Sequence, residues 1–85
     1  NPDSLRIDYK TDYVLMTAEA YQSEQDLEMV VRRLALLGDL PPREWIEQSI
    51  VFAKKAGYNE SDIARMQTLS IALESFPIGQ GTVVP

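Results

Sequence analysis

Among the residues able to do chemistry, carboxylates alone recur at a suggestive spacing. Asp8 and Asp12 stand four apart, and Glu19 follows two turns on. Two carboxylates on one helix face can share a proton or help to hold a divalent ion. The same spacing describes a solvated, mildly repulsive face, and no other group converges on it. The chain has no His and no Cys. That removes imidazole acid–base chemistry, thiol nucleophiles and disulfides. Gly79-Gln80-Gly81 lacks the third glycine and the strand–helix context of a phosphate-binding loop. The expectation is a non-enzyme, with no catalytic residue, no metal and no cofactor.

Composition narrows the partners. The 85 residues make one domain, 45% hydrophobic and 25% charged. Thirteen acidic against eight basic residues give a net charge of -5. That field repels nucleic acid and anionic lipid at long range. No apolar run approaches the roughly 20 residues that span a bilayer. The chain opens on Asn1, which points to a processed chain or an excised domain.

The elements that must position these residues are helices. The first is predicted within 5–22, with Tyr9, Tyr13, Met16 and Ala20 as its inward stripe and Val14, Thr17, Ala18 and Tyr21 widening it. The opening NPDSLRID reads as a short turn capped by Asp3 or Ser4. Ser23 is the predicted cap of the second helix, at about 25–37, with Asp26 closing a capping box. Leu27, Val30, Val31, Leu34 and Leu37 face inward there. Glu28 pairs with Arg32, and Gly38 is a left-handed stop.

Pro42 opens the third helix, whose apolar or small face is Trp45, Ile46, Ser49, Ile50, Ala53 and Ala56; Gly57 ends it. Asn59 caps the fourth, with Asp62 three residues on and Tyr58 stapled to Ile63. Ile63, Met66, Leu69 or Ser70, and Leu73 face inward. The large aromatics Tyr9, Tyr13, Trp45, Phe52 and Tyr58 are expected between helices one and three and at this staple. The sum is an all-α domain over residues 1–76, made of two antiparallel helical hairpins at about 5–38 and 41–76. Residues 77–85 form an extended tail or linker.

The two hairpins echo each other. SEQDL at 23–27 returns as NESDI at 59–63, and a shift of thirty-six also sets Val14 on Ile50, Val30 on Met66 and Leu37 on Leu73. A period of this length suits a duplicated hairpin. Any two amphipathic hairpins of similar length also align in part.

The run AEAYQSEQDLEMVVRRLALLGDLPP resembles a tetratricopeptide repeat. Tyr21 matches that family's Tyr late in the first helix, and Ala18 its small residue three positions earlier. Gln25-Asp26-Leu27 occupies the turn, Val30 the small position of the second helix, Leu34 the aromatic position and Pro42 the closing Pro. Thr17, Val14 and the size of Val30 depart from the pattern. The resemblance covers residues 14–42. It implies either an open, tetratricopeptide-like stack or, with only two hairpins, closure into a compact four-helix bundle. It also implies a partner-binding face on the first helix of each hairpin: Asp12, Leu15, Glu19 and Gln22, joined through the internal repeat by Gln48, Val51 and Lys55. The longer run from Leu5 to Pro42 looks like a region that follows a transmembrane helix in uncharacterised bacterial membrane-anchored proteins. This implies an extracytoplasmic, membrane-anchored setting and no activity.

The functional expectation is a protein-interaction or assembly module. Asp12 and Glu19 on its face favour a basic or apolar protein or peptide, and nucleic acid is not a partner. The alternative is a homodimerising structural spacer. Any membrane contact would run through a segment outside this chain.

Overall fold

The computed structural model describes residues 2–76, so the expected tail at 77–85 lies outside the described residues. Four helices follow one another: α1 (Pro2–Glu24), α2 (Leu27–Ala35), α3 (Pro42–Ala56) and α4 (Glu60–Glu74). No strand occurs among the described residues, and the fold is all-α.

α1 runs further in both directions than its predicted span. Pro2 suits a first helical position, where a missing N–H is no loss. Asp3 and Ser4 therefore lie inside the first turn, not at a cap. At the other end Ser23 remains within α1 and donates its hydroxyl to the Ala20 carbonyl at 3.2 Å. A Ser bonded back to its own helix cannot cap the next one.

Gln25 makes the turn. Its φ of 51° is left-handed, uncommon for a residue with a Cβ. Its N–H donates to the Tyr21 carbonyl at 2.8 Å. Its side-chain amide donates to the carbonyls of Tyr21 and Gln22 at 3.0 and 3.2 Å. The cap of α2 is Asp26, whose Oδ1 accepts the Met29 N–H at 3.1 Å. The carboxylate there both satisfies an orphan donor and faces the positive end of the helix dipole.

α2 is shorter than expected and ends at Ala35. Leu36 and Leu37 donate to Arg33 and Leu34 in a tighter last turn. Gly38 has a positive φ of 146°, which favours glycine, but it lies beyond the right-handed cap Leu36 and so does not itself end α2. A Cβ there would stand 3.0 Å from Cζ2 of Trp45, so the glycine lets the chain pass close to the indole. The expected Glu28–Arg32 pair does not form. Arg33 instead reaches Glu24 on α1 at 2.9 Å.

α3 and α4 follow prediction more closely. Gly57 ends α3 at φ 85°, with the Tyr58 N–H bonded to the Ala53 carbonyl at 3.0 Å. Asn59 Oδ1 accepts the Asp62 N–H at 2.9 Å. The capping box stays half built, because the Asp62 carboxylate accepts from Arg65 at 2.8 Å.

All four helices enter one core. Val14 and Ala18 come from α1, and Val30 and Leu34 from α2. Trp45, Ile46, Ile50 and Ala53 come from α3, and Met66, Leu69 and Leu73 from α4. Ser49 and Ser70 are buried with them, while Ala56 is exposed. α1 packs against both α3 and α4, and α3 against α4.

The face α1 turns inward is one side of the predicted stripe: Val14, Thr17 and Ala18 are buried and Tyr21 packs on the core, while Tyr9 and Met16 at its other side are 74% and 62% exposed. Thr11 is buried too. Tyr9 therefore does not sit between helices one and three. Small and β-branched residues let α1 approach its neighbours closely, and a tyrosine there would hold them apart.

The internal repeat holds for burial only in part and fails for boundaries; Tyr9 and Trp45, and Ala18 and Lys54, differ in exposure. At a shift of thirty-six, Val14 and Ile50, Thr17 and Ala53, Val30 and Met66, and Leu34 and Ser70 are buried at both positions. The caps, Asp26 and Asn59, are only thirty-three positions apart. Three residues is close to one helical turn, so the inward faces tolerate the slip.

Replacing Asp26 or Asn59 by Ala should each cost about 1 kcal/mol, read as a shifted urea midpoint. Ser23→Ala should cost no more than a few tenths of that amount. A Ser23→Ala loss equal to that of Asp26→Ala would contradict the cap seen at Asp26.

Candidate functional site

The carboxylates of α1 do not converge on a reaction centre. Asp8, Asp12 and Glu19 are all exposed. Asp12 accepts the hydroxyl of Tyr58 at 2.5 Å. Tyr58 stands in the turn between α3 and α4 and packs edge-on against Phe52, with ring centres 6.4 Å apart. Its hydroxyl is pushed up to about 12, first by the bond to Asp12, then by desolvation, then by the charges of Asp12, Asp8 and Asp62. The acidic face thus serves a tertiary contact: a tyrosine proton held among carboxylates. No group of three or more ligand-type side chains among the described residues is placed to hold a metal ion.

The expected partner-binding residues fall into two rows. On α1, Asp12, Glu19 and Gln22 are exposed and Leu15 is half-buried against the core. Two of these four are engaged within the molecule: Asp12 with Tyr58, and Gln22 with Arg65, whose Nε donates to its Oε1 at 3.1 Å. On α3, Gln48, Val51 and Lys55 are exposed, Val51 by 54%. Tyr58 is the link between the two helices, touching Asp12 on one and Phe52 on the other.

Three features escaped the sequence reading. The first is the outward stripe of α1. Tyr9 and Met16 are exposed, and Tyr13 and Ala20 are half-buried on the same line. Periodicity found the stripe and could not say how much of it the neighbours cover.

The second is a polar clasp across α3 and α4. The buried Ser70 donates to Glu47 Oε2 at 2.6 Å. Arg43 donates to Ser70 Oγ at 3.4 Å and to Glu74 at 3.3 Å. A hydroxyl on a carboxylate invites comparison with a nucleophile and its base. Ser70 is only 3% exposed and lines the floor of an open groove. The four-residue spacing of Arg43 and Glu47 was the available signal. The clasp residues form one end of an open groove of about 340 Å³ whose lining continues through Ile50, Lys54, Gln67 and Ile71. It continues past Lys54 and Gln67 into a depression of about 430 Å³ at Ile63 and Glu60.

The third is a set of unpaired buried polar atoms on α1 and α3. Thr11 Oγ1, Trp45 Nε1 and Ser49 Oγ are buried without a hydrogen-bond partner. The Lys10 ammonium covers the Trp45 ring at 4.2 Å from its centre, a cation–π contact that seals one side.

Comparison with protein-family models, with curated proteins and with solved structures finds no match. Among the described residues no helix is long and apolar enough to cross a membrane.

Two measurements check this geometry. Thr11→Val removes an unpaired buried hydroxyl at constant shape and should raise stability by about 1–2 kcal/mol in urea unfolding. For Tyr58 the folded state holds its proton to about 12, against about 10 when unfolded. Its contribution is therefore intact below pH 10 and lost as pH rises through 12. Melts over that range should show an alkaline loss that Tyr58→Phe reduces; equal slopes would disprove the linkage.

Proposed function

We propose that this domain is a non-catalytic protein-interaction or assembly module that docks a partner on its outward helix faces. The observation that carries the reading is the α1 stripe. Four residues at helical spacing line one side of α1, Tyr9 and Met16 mostly exposed and Tyr13 and Ala20 half-buried. Such a line on a small domain marks a contact surface. Val51 adds an exposed apolar residue to the α3 row of Gln48 and Lys55. Asp8, Asp12 and Glu19 edge the α1 stripe with negative charge and favour a basic or apolar protein or peptide.

A second reading, a homodimerising spacer, rests on the same stripe, which a second copy can cover. The resemblance of residues 5–42 to the segment after a transmembrane helix in bacterial membrane-anchored proteins supports an extracytoplasmic setting for either.

A displayed peptide library panned on the immobilised domain tests the interaction reading. The enriched peptides should combine apolar residues with Lys or Arg, and should bind more weakly as salt rises. Met16→Glu, at an exposed position, should weaken them about tenfold or more, a loss of at least about 1.4 kcal/mol, and leave the melting temperature unchanged. Peptides indifferent to both changes would overturn it.

A further inference from the structure

We propose that this chain forms an exchanged dimer, in which α1 swings out on its connection to α2 and docks on α3 and α4 of a second copy. The turn that permits this is Gln25 and Asp26, the only two residues between α1 and α2.

The turn runs against the local preference of its sequence. From Asp3 to Leu37 the chain contains neither glycine nor proline. The other two connections carry such breakers: Gly38 and Pro41 between α2 and α3, and Gly57 at the end of α3. Gln22, Glu24, Gln25, Leu27, Glu28 and Met29 are good helix formers. Yet Gln25 is held at φ 51°, where a Cβ crowds the following carbonyl. In a straightened chain the N–H groups of residues 26–28 would bond to the carbonyls of residues 22–24. α1 and α2 would then run as one helix of about 50 Å. A short, strained hinge of this kind invites exchange between copies.

What bends the chain back is the fit of α1 to the rest of the fold. Val14 and Ala18 enter the shared core, and Lys10 covers Trp45. Asp12 accepts the Tyr58 hydroxyl, and Gln22 accepts from Arg65. These partners lie on α3, on α4 or in the turn between them, so α1 of a second copy can make the same contacts. The second copy fills a place that the fold already has.

The losses are confined to the turn. They are the Asp26 cap on Met29, the Gln25 amide bonds to Tyr21 and Gln22, and the Glu24–Arg33 pair. Gln25, Asp26 and Glu24 are all exposed. Straightening also sets Glu24 and Glu28 one turn apart on one helix, where like charges repel. The monomer therefore prevails when dilute, and the dimer is reached by folding at high concentration. The exchange is reciprocal and closes on two copies. The exposed Tyr9 and Met16 stay outward on each α1, so the dimer carries two stripes on one body.

Refolding from urea at millimolar concentration, followed by sedimentation, tests this. A dimer and nothing larger should appear beside the monomer. Gln25→Gly relieves the left-handed strain and weakens a helix through the hinge. It should lower the association constant about a hundredfold, since each dimer holds two hinges, and should not lower the melting temperature. Met16→Glu, which alters only the stripe, should leave the dimer unchanged. Copies isotope-labelled only in lysine, refolded with copies labelled only in tryptophan, should show the Lys10–Trp45 contact across the dimer by NMR. A chain that stays monomeric, a dimer without that cross-copy contact, a dimer lost in Met16→Glu, or a Gln25→Gly variant that dimerises like wild type would each overturn the proposal. Peptide binding by the stripe is a separate measurement, so the interaction reading stands or falls apart from these results.

Discussion

Trp45 sits where the packing of this small domain is decided. It is buried on α3 at 6% exposure, with the chain at Gly38 pressed against one part of its ring and Lys10 of α1 over its face. An indole of this size can be enclosed in so short a chain only if the surfaces around it are small. Gly38 supplies this at the α2–α3 connection by having no side chain. On α1, Lys10 covers the ring, and Thr11, Val14 and Ala18 are buried on the inner face.

This packing has two consequences. The inward face of α1 is partly polar, and α1 and α3 carry buried hydroxyl and indole donors without partners. In exchange, Tyr9 and Met16 are left outside. A sequence that places Tyr9 and Met16 at helical spacing and then turns them to solvent conflicts with its own hydrophobic pattern. Conflicts of this kind concentrate at functional surfaces. The charge pattern is consistent with this. The acidic residues at the edge of α1 are divided between a tertiary bond to Tyr58 and free positions beside the stripe.

The clasp on the other side of the molecule differs in kind. Arg43, Glu47, Ser70 and Glu74 satisfy one another between α3 and α4, and this polar closure fixes the two helices side by side. Hydrogen bonds to charged groups are stronger than neutral ones, and the buried Ser70 is paired where Ser49 is not. The groove keeps its shape because its walls are tied at one end. Lys54 and Ile71 then remain exposed on a rigid frame.

Much of the architecture was legible locally. Four helices, the proline start of α3, the glycine end at Gly57, the cap at Asn59 and the inward residues of α2, α3 and α4 all follow from propensity, periodicity and capping chemistry. These signals act within a turn or two of the chain, so the sequence by itself determined them. Ser23 and Asp26 both had capping chemistry, and the backbone turn at Gln25 decided between them. The facing of α1 was legible in part: Val14, Thr17 and Ala18 of its broad stripe are buried, but that Tyr9 and Met16 would lie outside was not, because the neighbours decide how much of a broad helix face is covered. The Tyr58–Asp12 bond and the Arg43–Ser70–Glu47 clasp join residues far apart in sequence and exist only once the helices have docked. Tertiary structure alone decided those, because steric fit around Trp45 and the pairing of buried polar groups are properties of neighbours that the linear order does not bring together.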